Sequence, residues 1–147
     1  MLVDANLLLY AHNAASPHHA VAAAWLTDRL NGRTRMGLPW PSILAFVRVA
    51  THPRASERPI SPEKAWTQVE EWLVADVAWT PLPTPRHAEI LGDLVRRYDV
   101  RGNLVPDAHL AALAIEHGVA LCSADTDFAR FTEIRWVNPL AERRPRG

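Results

Sequence analysis

Four aspartates stand at the ends of apolar runs. Asp4 closes Met1-Leu2-Val3, Asp107 opens the run from Ala108 to Ile115, and Asp125 and Asp127 follow Val119-Ala120-Leu121-Cys122. If these runs lie in one parallel sheet with its connecting helices, their carboxyl ends meet along a single edge, the usual ligand site of open α/β sheets. Carboxylates gathered there repel and lose hydration, so they must take up protons or share a cation. An all-oxygen set suits a hard divalent ion, magnesium or manganese. Zinc would ask for cysteine or histidine at regular spacing, whereas the chain has one cysteine and seven histidines with no HExxH or paired CxxC pattern. A bound magnesium ion orients a phosphodiester and activates water for in-line attack, so no protein nucleophile is needed. The sequence carries no GxSxG elbow, no glycine-rich phosphate loop and no GxGxxG.

Polar neighbours extend the set. Ser123 precedes the last acidic pair and can hydrogen-bond a carboxylate or a coordinated water; Asn6, two after Asp4, can do the same or cap the first helix. His109 lies two residues after Asp107, where a satisfied buried histidine is the commoner outcome. Each acid alone also has an ordinary structural role, Asp4 as a helix cap and Asp125 and Asp127 as turn formers. Three separated acidic clusters at element ends are what argue for a shared site.

Net charge is zero, with sixteen basic and sixteen acidic residues, so no global field draws the chain to nucleic acid. All basic residues but Lys64 are arginine, and Arg48 is the one singled out as a candidate phosphate contact. The six tryptophans fall mostly on apolar stripes and strand ends, which points to packing, with Trp40 as a candidate groove residue. The lone Cys122 reads as a small core residue.

These residues need a scaffold. Short strands are expected near 1–4, 35–38, 77–82, 119–122 and 134–137, and helices near 5–12, 17–31, 41–51, 62–75, 85–98 and 107–117. The alternation predicts an α/β fold in three layers, α/β/α, around a central, mostly parallel sheet of about five short strands. Ser16-Pro17, Ser61-Pro62 and Thr84-Pro85 each read as an N-cap followed by proline at the first helical position. The segment from Asp107 to His117 has almost no polar face, so it should be buried, with Gly118 as its C-cap. At 147 residues the chain fits one domain, expected over 1–140, followed by a flexible charged tail over 141–147. No apolar stretch approaches the roughly 20 residues of a membrane span, and the start lacks signal-peptide features. A soluble, cytoplasmic protein is expected.

Asp4-Ala5-Asn6, Asp107-Ala108-His109-Leu110-Ala111-Ala112-Leu113-Ala114 and Ser123-Ala124-Asp125-Thr126-Asp127-Phe128 resemble the PIN domain over almost the whole chain. Leu38-Pro39-Trp40-Pro41-Ser42, Phe46-Val47-Arg48-Val49-Ala50-Thr51-His52-Pro53-Arg54, Thr84-Pro85-Arg86-His87, Gly102-Asn103-Leu104-Val105 and Trp136-Val137-Asn138-Pro139-Leu140 resemble a mycobacterial-type subgroup of VapC toxins. The resemblance implies a Mg2+- or Mn2+-dependent endoribonuclease acting on transfer or ribosomal RNA, a homodimer, and inhibition by a VapB-like antitoxin. By position it makes Asp4, Asp107 and Asp125 metal ligands, Asp127 an auxiliary acid, and Asn6 and Ser123 polar supports. One departure stands out: the glutamate that most PIN domains carry in the helix after the second strand aligns with Phe46. Asp127 is expected to compensate in part. Two rivals remain: a catalytically weakened PIN-fold module that binds RNA or protein, and a magnesium-dependent phosphatase-like enzyme, which would want a lysine near the acids where Lys64 stands far from them in the chain.

Overall fold

A computed structural model describes residues 1–141. The expected charged tail, Ala141 apart, lies outside the described residues. The chain alternates strand and helix: β1 Leu2–Val3, α1 Ala5–His12, α2 His19–Leu30, β2 Met36–Gly37, α3 Trp40–Thr51, α4 Pro62–Leu73, β3 Ala78–Trp79, α5 His87–Arg97, α6 Leu104–His117, β4 Leu121–Cys122, a one-turn 3₁₀ helix Thr126–Arg130, and β5 Trp136–Val137. The strands form one sheet in the order β3-β2-β1-β4-β5, and every ladder is parallel. Each strand is two residues long, shorter than the apolar runs suggested.

Strand alternation builds the layers. Leu2 and Leu121 face a core with α5, α6 and the 3₁₀ helix; Val3 and Cys122 face the opposite core with α1 to α4. All four side chains are inaccessible to solvent. The sheet grows outward from β1 in both directions, through β2 and β3 on one side and β4 and β5 on the other. The chain therefore reverses its winding between β1 and β4, and a crevice opens there at the carboxyl edge. Gly37 allows the close approach of β1 and β2: an added Cβ would stand 2.5 Å from Leu2 Cδ2 and 3.2 Å from the Met1 carbonyl.

Helix starts depart from the expected pattern in an instructive way. Ser61 caps α4 by accepting the Lys64 amide at 3.1 Å. Ser16 and Thr84 instead close tight turns onto the amides of His18 and Arg86, and α2 and α5 begin two residues beyond their prolines. Helix α6 begins earlier than expected, at Leu104, with Pro106 inside its first turn. The first turn tolerates proline because its amides lack intrahelical acceptors anyway. Gly118 ends α6 in the left-handed conformation, φ 64°, which only glycine adopts without strain.

Candidate active site

The site is assembled at the switch point between β1 and β4. Asp4 follows β1 and caps α1: its Oδ1 accepts the Ala5 amide at 2.8 Å. Its Oδ2 accepts the Ser123 hydroxyl at 2.7 Å. Ser123 follows β4, is fully buried, and accepts from Asn6 Nδ2 at 3.1 Å and the Asp125 amide at 3.0 Å. One donor and two acceptor positions are thus all in use, the full capacity of a hydroxyl. Asn6 adds a second tie, its Oδ1 accepting the Ala124 amide at 3.3 Å. Asn6 is therefore a bridge between α1 and the end of β4 rather than a helix cap. These bonds join residues 117 to 119 positions apart, and they fix the two strand ends that flank the crevice.

The remaining acids arrive from two directions. Asp107 sits in the first turn of α6, and Asp125 caps the 3₁₀ helix by accepting the Asp127 amide at 2.8 Å. One carboxylate oxygen from each of Asp107, Asp125 and Asp127 lies within 4.8 Å of the others, the spacing of groups that can hold one ion. Asp4 is not part of that trio among the described residues; its two oxygens accept from the Ala5 amide and the Ser123 hydroxyl. The trio that geometry gathers thus contains Asp127 where the resemblance implied Asp4.

Electrostatics tie all four together. Burial, then the charges of Asp125, Asp4 and Asp127, push the Asp107 carboxyl up to about 7, with Arg130 acting in the opposite sense. Burial also raises Asp4, against the hydrogen bonds from Ser123 and Ala5, and the Asp125 charge adds to the rise. Burial and the neighbouring acids together disfavour the charged form of Asp107, which marks a cluster short of positive charge. An oxygen-only donor set of this kind fits a hard divalent cation.

Phe46 lies far from this edge. Helix α3 starts beside it, and Phe46 is six residues along, about 9 Å down the axis. Its ring is fully buried and packs edge-on against His12 at 5.4 Å and Trp72 at 4.7 Å. It packs α3 against α1 and α4. Ser42, one turn nearer the edge, is buried with no partner for its hydroxyl. Arg48 is exposed in the last turn of α3, at the end away from the acids.

His109 turns to His87 instead of the acids, with Nδ1 3.1 Å from His87 Nε2. His87 Nδ1 meets Glu116 Oε2 at 2.5 Å, and Glu116 Oε1 accepts both the amide and the hydroxyl of Thr84 at 2.9 and 2.8 Å. The sequence did not single out Glu116. Nor did it single out Arg130, whose Nε donates to the Asp127 carbonyl at 3.2 Å and whose Nη2 stands 3.7 Å from Asp127 Oδ1. The available signal was Arg130's position three residues after Asp127 on a helical turn, a spacing at which side chains meet. Lys64 is exposed in the first turn of α4 and caps nothing at the acidic edge. Among the described residues, no helix is long and apolar enough to cross a membrane.

A PIN-domain family profile matches residues 1–134. Ribonuclease VapC37 of Mycobacterium tuberculosis is 48% identical over 140 residues, spanning 95% of this chain and 97% of that protein. Ribonuclease VapC33 of the same species is 39% identical over 142 residues, spanning 97% and 99%. Among solved structures, Mycobacterium tuberculosis VapC20, described as a sarcin-ricin loop cleaving toxin, superposes with a TM-score of 0.67 at 17% identity over 91% of this chain and 98% of that one. VapBC2 from Rickettsia felis bound to promoter DNA superposes with a TM-score of 0.64 at 16% identity over 93% and 96%. At such low identity these two structures speak for the fold.

Proposed function

The chain belongs to the PIN-domain family, and from that membership we propose that it is an endoribonuclease of the VapC type, the toxin of a VapBC-type module, hydrolysing RNA phosphodiester bonds with a divalent cation. The carrying observation is the trio Asp107, Asp125 and Asp127 within 4.8 Å, with Asp4 in electrostatic range, at the switch point of the sheet. The near-full-length identity to ribonucleases VapC37 and VapC33 supports the activity. The whole of 1–140 acts as a single PIN domain in this reading.

The residues present fit magnesium or manganese. Asp107, Asp125 and Asp127 would hold the ion, and Asp4 would add a fourth oxygen if its bond to Ser123 opened. When bound, the ion polarises the phosphoryl group and activates water for attack on phosphorus. The chain's own part is positioning. Ser123 and Asn6 hold Asp4 and Asp125 at fixed separation, the cap on the 3₁₀ helix holds Asp127, and the positive end of α6 favours Asp107 in its charged form. Asp127 stands for the acid that Phe46 replaces, which makes it a ligand by position.

The partners in this reading are single-stranded or loop RNA, with transfer or ribosomal RNA as candidate classes, a second copy of the chain, and a VapB-like antitoxin. The similar solved structures of VapBC2 from Rickettsia felis and VapBC-1 from nontypeable Haemophilus influenzae support the antitoxin. Exposed Trp40 and Leu44 on the outer face of α3, and Val105 at the start of α6, offer apolar surface near the site for such contacts.

The test is RNA cleavage by the purified chain with Mg2+ or Mn2+, with chelator, and in Asp107→Asn and Asp127→Asn. Cleavage that needs the metal and falls at least about a hundredfold in Asp107→Asn is expected, the scale on which losing one electrostatic stabiliser is felt. No cleavage by the wild type would leave the binding-module reading in its place, and cleavage that persists in chelator would remove the metal from the mechanism. Unchanged metal affinity and cleavage in Asp127→Asn would remove Asp127 from the ligand set.

A further inference from the structure

We propose that Arg130 is the residue by which the acidic edge grips the RNA backbone, its guanidinium binding a phosphate oxygen next to the scissile bond. The inference rests on the nuclease reading and adds the substrate contact that reading lacks. RNA must bring its phosphates to an edge lined by Asp4, Asp107, Asp125 and Asp127. Four ionised carboxylates exceed the charge of one divalent ion, so the approaching backbone still meets net negative charge. A fixed cation at the edge is needed.

Among the described residues, Arg130 stands beside these acids. It ends the same 3₁₀ helix that carries Asp127 and begins at the Asp125 cap. Its charge is felt by Asp107. Only one of its five N–H donors is committed, Nε to the Asp127 carbonyl; the 3.7 Å approach of Nη2 to Asp127 Oδ1 is too long for a hydrogen bond. The side chain is 39% exposed, so the outer fork of the guanidinium is open to a ligand. That planar fork matches two phosphate oxygens. Among the described residues, Arg97 pairs with Asp93 and Glu133, Arg101 pairs with Asp99, and Arg48 is in the last turn of α3. The bond from Nε to the helix backbone sets the direction of the fork without using its outer donors.

The experiment compares wild type with Arg130→Gln and Arg130→Lys, using a fluorescein-labelled single-stranded RNA oligonucleotide for binding and the same RNA for cleavage at saturating Mg2+. Binding is read by anisotropy in the Asp107→Asn background, so it does not depend on cleavage. Arg130→Gln is expected to weaken RNA binding about tenfold and to lower the slope of log affinity against log salt by about 0.7 to 1. Arg130→Lys should restore the salt slope but only part of the affinity, because a point charge lacks the fork. Magnesium affinity without RNA should hold or rise in Arg130→Gln, since a positive charge has left the acidic cluster. Unchanged RNA affinity and salt slope together with tighter Mg2+ binding would overturn the proposal and make Arg130 a charge-balancing residue. RNA binding lost equally in Arg48→Gln would also overturn it, by making the effect one of overall charge. If no variant cleaves RNA, the nuclease reading fails while the binding result still stands on its own.

Discussion

Helix α6 carries a carboxylate at each end, and the two are treated in opposite ways. Asp107, in the first turn, is pushed up to about 7 by burial and by Asp125, Asp4 and Asp127. Glu116, nine residues on and about 13 Å along the axis, has a side chain with no solvent access and yet is held below the usual carboxylate range. Burial alone would raise it, but His87 and the amide and hydroxyl of Thr84 outweigh that. The same chemical group in the same helix is thus frustrated at one end and satisfied at the other. What separates them is the partner supplied from elsewhere in the fold: acids after β1 and β4 for Asp107, donors from the start of α5 for Glu116. The satisfied end fastens α5 to α6; the frustrated end has an unmet need for positive charge, which is the condition for binding a cation.

Replacing each carboxylate tests that contrast most strongly. Glu116→Ala should lower stability by about 3 kcal/mol, because the Thr84 amide and hydroxyl and the His87 ring lose their acceptor at once. Asp107→Asn should leave metal-free stability equal or higher, because it removes repulsion. Urea unfolding of the two variants in chelator reads both; a large loss in Asp107→Asn would end the comparison. Next in size is Ser123→Ala, which leaves Asp4, Asn6 and the Asp125 amide short of a partner and should lower stability by about 1–3 kcal/mol. It should also reduce cleavage, since the strand ends on either side of the crevice are no longer tied. Full stability with lost activity would make Ser123 a site residue alone.

The pH dependence carries the same contrast, and its sign differs between the two ends. The native value of Asp107 is raised from 3.8 to about 7. Its stabilising contribution is present below the unfolded value and is lost as pH rises from about 4 through 7. For Glu116 the native value is lowered from 4.5, so its contribution is present above about 4.5 and is lost as pH falls below that. Stability of the metal-free protein measured against pH should therefore decline less toward pH 7 in Asp107→Asn and fall less on the acid side in Glu116→Gln, with Asp4 and Glu133 keeping part of each slope. Added Mg2+ should flatten the former by binding the ionised cluster, and leave the latter unchanged.

Much of this was legible in the chain. Alternating apolar runs and helical stripes specify a parallel α/β sheet, since strand-to-helix crossovers of this length return only to parallel neighbours. Asp4, Asp107, Asp125 and Asp127 could be named because acids at the ends of such elements share one edge, and Asn6 and Ser123 because they are polar neighbours of those acids in the chain. Ser61 was legible as a cap, whereas Ser16 and Thr84 were not distinguishable from it, because whether a hydroxyl reaches the third or the second amide beyond depends on how the turn packs.

The sequence by itself determined the fold class, the buried character of α6 and the identity of the acids, because periodicity and residue type are local properties of the chain. Only the tertiary structure decided that the close trio among the described residues is Asp107, Asp125 and Asp127 with Asp4 tied to Ser123, that Phe46 packs between α1 and α4, and that Arg130 stands beside Asp127. Those outcomes turn on strand order and on side-chain directions across more than a hundred residues of chain, which spacing in the sequence does not encode.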